Sequence, residues 1–117
     1  MAVDARFLEV LGETLAFVPE LRLKKMFGAV GLYSGEVFFA VGEDDVLYLK
    51  VDGETEPAFR ALGLSPFVLR DSKGVETPTS YWQAPDAVWE DPDDARHWVG
   101  LAIEAARRKK AKKPRGR

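Results

Sequence analysis

The 117-residue sequence predicts a two-layer α+β domain, a single antiparallel sheet with helices on one face, in the order α, three or four β, α, two β, α. Three observations predict it. Residues 26–51, MFGAVGLYSGEVFFAVGEDDVLYLKV, carry apolar groups at strand spacing and are broken only by very short turns. Strands joined by such turns must run antiparallel. Apolar residues at three- and four-residue intervals flank this stretch on both sides, so helices can cover one face of the sheet.

Residues 3–18 read as the first helix, with Val3, Phe7, Val10, Leu11, Leu15 and Val18 on one side and Pro19 as its stop. Leu23–Phe27 begins the sheet or leads into it. Gly28 and Gly31 interrupt the next strand, and Ser34-Gly35 is a hairpin turn. In the following strand strict alternation puts Val37, Phe39 and Val41 on one face, with Phe38 and Ala40 on the other. Gly42-Glu43-Asp44-Asp45 reverses the chain, after which Leu47, Leu49 and Val51 share a face and Tyr48 and Lys50 take the more polar one.

A short helix runs from Glu54 to Leu62, with Thr55 as N-cap, Pro57 in the first turn, Phe59 and Leu62 as apolar contacts and Gly63 as the C′ residue. Pro66–Arg70 and Val75–Trp82 form a hairpin around Asp71-Ser72-Lys73-Gly74. Pro78 lacks an amide donor, so its strand should be an edge or contain a break. Asp91-Pro92-Asp93-Asp94 supplies an N-cap, a proline at N1 and two carboxylates beside the positive helix end. The last helix continues through Ala95, Trp98, Val99, Ala102, Ile103 and Ala106.

Composition narrows the chemistry. A hydrophobic fraction of 46% with 11% aromatics suits one packed domain. The absence of cysteine excludes disulfides, thiolate metal sites and cysteine nucleophiles, and one histidine excludes sites that need two. No apolar run reaches the roughly 18–20 residues of a membrane span, and the N-terminus lacks the order of a signal peptide, so the expectation is a cytoplasmic protein without membrane contact. The net charge of −2 hides an asymmetry: residues 107–117 hold eight of the 17 Lys and Arg and no acid, leaving residues 1–106 at −10. The expected division is a folded body over 1–106 and a disordered basic tail over 107–117.

Candidate sites are few. The glycines at 28, 31, 35 and 42 match no phosphate-loop spacing and read as turn or bulge residues. His97 has no second His or Cys to share a metal, and Glu43-Asp44-Asp45 lacks the pattern of a calcium loop. No Ser or Thr belongs to a nucleophile motif. The expectation is therefore no catalytic, cofactor or metal site. In the tail, Arg107, Arg108, Lys109, Lys110, Lys112, Lys113, Arg115 and Arg117 are candidates for nonspecific phosphate contact; a solubilising terminus folded back on the acidic body is the competing reading. Tyr81, Trp82 and Trp98 read as core. Trp89, between two acidic, proline-marked turns, is the candidate for partial exposure and partner contact.

The chain resembles the TfoX (Sxy) N-terminal domain family. The matching pieces are KKMFGAVGLY (24–33), Phe39-Ala40, DVLYLK (45–50), GLSPF (63–67), Tyr81-Trp82 with Pro85, and the helix anchored at Asp91. They follow the family's order and span about residues 5–106. The resemblance implies an α+β fold similar to secretion-chaperone-like sheets. It also implies a non-enzymatic regulatory or adaptor role, like that of regulators of competence and DNA uptake, exercised through an unidentified protein partner. Regulators of the full type carry a helical C-terminal domain, whereas this sequence continues only into its basic tail. The alternative is a small-molecule-binding domain or enzyme using a pocket between helices and sheet. Oligomeric state is left open.

Overall fold

The computed structural model describes residues 4–26 and 28–112. It is an α+β domain built on one six-stranded antiparallel sheet of order β1-β2-β3-β4-β6-β5. The elements in chain order are α1 (Ala5–Thr14), β1 (Leu21–Met26), β2 (Ala29–Ser34), β3 (Val37–Glu43), β4 (Val46–Lys50), α2 (Glu56–Ala61), β5 (Pro66–Arg70), β6 (Glu76–Gln83), α3 (Ala87–Glu90) and α4 (Pro92–Lys112). Leu11 and Leu15 from the N-terminal segment, Phe59 of α2, Val88 of α3 and Val99 of α4 join Val30, Leu32, Phe39, Leu47 and Leu49 of the sheet in one core, each below 2% exposed.

α1 is shorter than its apolar spacing predicts. The Asp4 carboxylate caps it by accepting from the Arg6 amide at 2.8 Å, and it ends at Thr14, well before Pro19. Leu15 and Val18 stay buried in the core although they have left the helix. Periodicity outlasts the helix wherever a following turn still faces the core. Val3, expected to open this helix, and Phe27, expected to end the first strand, lie outside the described residues.

β3 departs from strict alternation. Leu32 pairs with Ala40 but Tyr33 pairs with Phe38, so Phe39 is an extra residue without a partner on β2. The bulge turns both Phe39 and Ala40 into the core and leaves Phe38 and Val41 on the far face. The next turn is also tighter than expected. Gly42 and Glu43 belong to β3, and Asp44 (φ 54°) and Asp45 (φ 64°) make the reversal by themselves. Both are residues that tolerate the left-handed region.

α2 starts differently from its prediction. Thr55 sits at the N-cap without a capping hydrogen bond; instead the Asp52 carboxylate accepts from the Glu54 and Thr55 amides at 3.1 and 3.2 Å. The C-terminus fits: Gly63 has φ +74°, and the Gly63 and Leu64 amides donate to the Arg60 and Phe59 carbonyls. Leu62 is 56% exposed rather than an apolar contact.

β6 lies inside the sheet, yet Pro78 is accommodated. β4 pairs with β6 only over Tyr81–Gln83, so at Pro78 the strand has β5 alone as neighbour, across from Val68. α3 is an unforeseen single turn. Asp91 accepts from the Asp93 amide at 2.8 Å and opens α4 as expected. The helix then continues six residues past 106, through Lys112, so Arg107 to Lys112 extend a packed helix where a disordered tail was expected. No helix among the described residues is long and apolar enough to cross a membrane.

Candidate functional site

Two surface regions carry groups that can do more than hold the fold. The first is the end of α4. There the Arg108 guanidinium grips the Asp52 carboxylate through Nε at 2.6 Å and through a terminal nitrogen at 3.0 Å, with Glu54 at 3.3 Å. The bidentate geometry fixes the helix end to the turn that follows β4. Hydrogen bonds from Arg108 and from the Thr55 and Glu54 amides hold the Asp52 carboxyl at about 2, below the ordinary value of 3.8, against an opposing contribution from burial.

Because the folded value lies below the unfolded one, this stabilisation is full above pH about 4 and is lost as pH falls through about 2. Asp52→Asn, which keeps an amide-accepting oxygen but not the charge, should therefore lower the urea midpoint at neutral pH. The gap between wild type and variant should close as pH falls toward about 2. A gap independent of pH would sink the assignment of the charge to stability.

The tail candidates thus divide. Arg108 is half-buried and committed to the body. Arg107, Lys109 and Lys110 are exposed on the helix. Lys112 ends α4, and Lys113, Arg115 and Arg117 lie outside the described residues.

The same end of the sheet holds a feature missed from the sequence. On the face away from the helices, Tyr33 and Phe38 stack with centroids 4.9 Å apart and planes 24° apart, and Phe38 meets Tyr81 at 5.5 Å. Tyr48 and Phe67 form a second pair at 4.9 Å. Lys50, opposite Tyr81 in the ladder, is only 4% exposed. Its ammonium donates to Ser80 Oγ and lies 5.2 Å from the Tyr81 ring centroid. Burial, then the charge of Lys109, pulls the Lys50 pKa below its ordinary value, with Asp52 acting the other way. Burial, helped by Tyr33, pushes the Tyr81 phenol up to about 12. Alternation alone placed Tyr48 and Lys50 on this face, but the β3 bulge that aligns Phe38 with Tyr33 and Tyr81 has no sequence signature.

The second region surrounds Trp89, which is 37% exposed on α3. It stands between two open grooves of about 300 and 430 Å³. Phe7 and Val10 give the first an apolar wall, with Asp4, Arg6 and Asp45 at its rim. Phe17, Val88 and Ala95 line the second, with Glu13 and Arg96 among its charged groups. Arg96 also lies over the Phe17 ring at 5.4 Å. Trp98 is core-facing, edge-on to Phe59 at 5.0 Å, while His97 is exposed and edge-on to Trp98 at 5.1 Å. Among the described residues no group of three or more His, Asp or Glu is placed to hold a metal ion.

A family model, the TfoX N-terminal domain, matches residues 13–106, most of the chain and nearly all of its folded part. The chain belongs to the TfoX N-terminal domain family. That family is known from competence-related proteins. No curated protein matches the sequence. Much of what the TfoX N-terminal domain match covers makes the fold: Tyr33 and Tyr48 are sheet residues, Gly63 is a helix terminator, and Asp91 opens α4. Trp89 falls inside the matched span, whereas the basic end of α4, from Arg107 onward, falls outside it.

Proposed function

We propose that this chain is a non-enzymatic regulatory or adaptor domain that works through protein contact centred on Trp89, with the basic end of α4 adding affinity for nucleic acid. The observation that carries this reading is the exposure of Trp89 between two apolar-walled, charge-rimmed grooves. A rigid indole with apolar recesses on both sides and polar groups around them is the usual composition of an interface hot spot. Membership in a family known from competence-related proteins supports a regulatory role over a metabolic one.

The test compares wild type with Trp89→Ala in affinity capture from the native lysate, followed by titration of whatever only the wild type retains. A hot-spot tryptophan contributes about 2 kcal/mol or more, so the variant should bind such a partner about 30-fold more weakly. Its melting temperature should change little. Identical captured proteins with equal affinities would refute contact through Trp89.

A further inference from the structure

Lys50 poses a physical problem that the fold does not solve. A buried ammonium ordinarily has a carboxylate beside it, because desolvating an unpaired charge is costly. Among the described residues Lys50 forms no ion pair, and its hydrogen bond goes to a neutral hydroxyl. It also lines an open groove of about 240 Å³ whose other walls include Phe38, Tyr81, Lys109 and Lys110. Three lysines therefore converge on one recess, where Glu36 is the only acid among the described residues that line it. That concentration of positive charge stands out on a body whose first 106 residues carry −10.

The groove opens beside the aromatic row. Tyr33, Phe38 and Tyr81 are half-buried on the sheet face away from the helices, and they cross from β2 to β6 in steps of 4.9 and 5.5 Å. At the far end of the row the Arg22 guanidinium lies 5.4 Å from the Tyr33 ring centroid, and Lys24 follows on the same face of β1. Cations flank the π surfaces at both ends. Small inorganic anions would leave the aromatic row unused, and a duplex would keep its bases out of reach. A flexible chain that alternates phosphates with flat rings uses both parts.

We propose that this open sheet face is a platform for single-stranded nucleic acid, with phosphates held in the groove of Lys50, Lys109 and Lys110 and bases stacked along Tyr33, Phe38 and Tyr81. The site is built into the folded sheet and the end of α4. It rests on the nucleic-acid half of the proposed function, naming the class of nucleic acid and the sheet residues that take part, and it shares no lining residue with the two grooves at Trp89.

The test is fluorescence anisotropy of a labelled oligo(dT) of about 12 nucleotides, within the roughly 4–16 nucleotides such platforms cover, titrated with the full chain at several salt concentrations. Binding should weaken with salt. Lys109→Gln combined with Lys110→Gln, both on exposed positions, should reduce the slope of log K against log salt by about 1.4, and adding Lys50→Met should bring the reduction to about 2, at about 0.7 per lost phosphate contact. Phe38→Leu should weaken binding by about 5- to 150-fold, the effect of losing about one stacked base. Circular dichroism checks that each variant is folded, and the Lys109/Lys110 pair carries the test if Lys50→Met is not.

Trp89→Ala should leave oligonucleotide binding unchanged, which separates this site from the adaptor reading. Absence of binding at low salt would overturn the proposal. So would binding indifferent to both the Lys109/Lys110 pair and Phe38→Leu, since it would then reside elsewhere on the chain. Equal competition by duplex DNA or inorganic polyphosphate, together with indifference to Phe38→Leu, would reduce the site to a charge patch and also overturn it.

Discussion

Replacing Phe39 by alanine should lower the free energy of unfolding by about 3–5 kcal/mol, the usual result of deleting a fully buried phenyl ring. Phe39 is 0% exposed, and its side chain enters the core from the bulge of β3, next to the equally buried Ala40. The cavity cannot close easily, because Ala40 is tied to Leu32 on one side and to Leu49 on the other. Total stability of a domain this size is about 5–15 kcal/mol, so the loss is a large share of it. At about 4 °C per kcal/mol, the melting temperature should fall by about 12–20 °C. Phe38→Ala, one position earlier on the half-exposed face, is the internal comparison and should cost clearly less. If both variants melt alike, the bulge is not where the registers put it.

Gly42→Val should be the next most damaging change, and for the opposite reason. α1 lies directly on the bare backbone of β3 at this point. A Cβ added to Gly42 would meet Val30 Cγ1 at 2.9 Å, Phe7 Cε2 at 3.0 Å and Leu11 Cδ1 at 3.2 Å. Val30 and Leu11 are fully buried and Phe7 nearly so, leaving the intruding atoms no free volume. Overpacking of this kind costs about 1–3 kcal/mol, and the two further methyl groups of valine place the substitution toward the upper end. The expected signature is a lower urea midpoint together with faster proteolysis inside residues 4–14, as α1 is pushed off the sheet. An unchanged midpoint would mean that α1 does not rest on Gly42.

Gly42 also marks where sequence reasoning stops. Read along the chain, it belongs to the turn Gly42-Glu43-Asp44-Asp45, because glycine beside acids is a turn signal. In the structure two aspartates make the turn, and the glycine exists for a helix some thirty positions earlier in the chain. Local chemistry cannot announce a tertiary approach. Features with a local cause were legible: the antiparallel meander, the Gly63 terminator, the Asp91-Pro92 start of α4 and the exposure of Trp89. Those set by partners in space were not, among them the early end of α1, the bulge at Phe39, the capping role of Asp52 and the pairing that draws Arg108 out of the basic tail.

The candidate sites divide along the same line. Trp89 was visible because proline- and acid-marked turns on both sides leave a large side chain little to pack against. Along the chain, Lys50 reads as a residue of the more polar strand face. Nothing in DVLYLK shows that Ser80, Tyr81 and the end of α4 will close around it. Its burial depends on residues 30 to 60 positions downstream.

The strand order β1-β2-β3-β4-β6-β5 also dictates how the chain can assemble. The first four strands follow one another with two residues between each pair, so their ladder grows from neighbouring contacts. β5 and β6 zip in the same way. Joining the two halves means bringing Leu49 to Trp82, and closing a span of about 30 residues costs about 2.5 kcal/mol more chain entropy than closing a two-residue turn. Three register pairs reward that closure, flanked by the Val51 amide donating to the Ser80 carbonyl and the Ala84 amide donating to the Leu47 carbonyl, while α4 packs on β3 and β4 of the first half. Arg108, reaching Asp52 from 56 positions away in sequence, fastens the end of α4 to the turn after β4 and so ties the last helix of the chain to the first half-sheet.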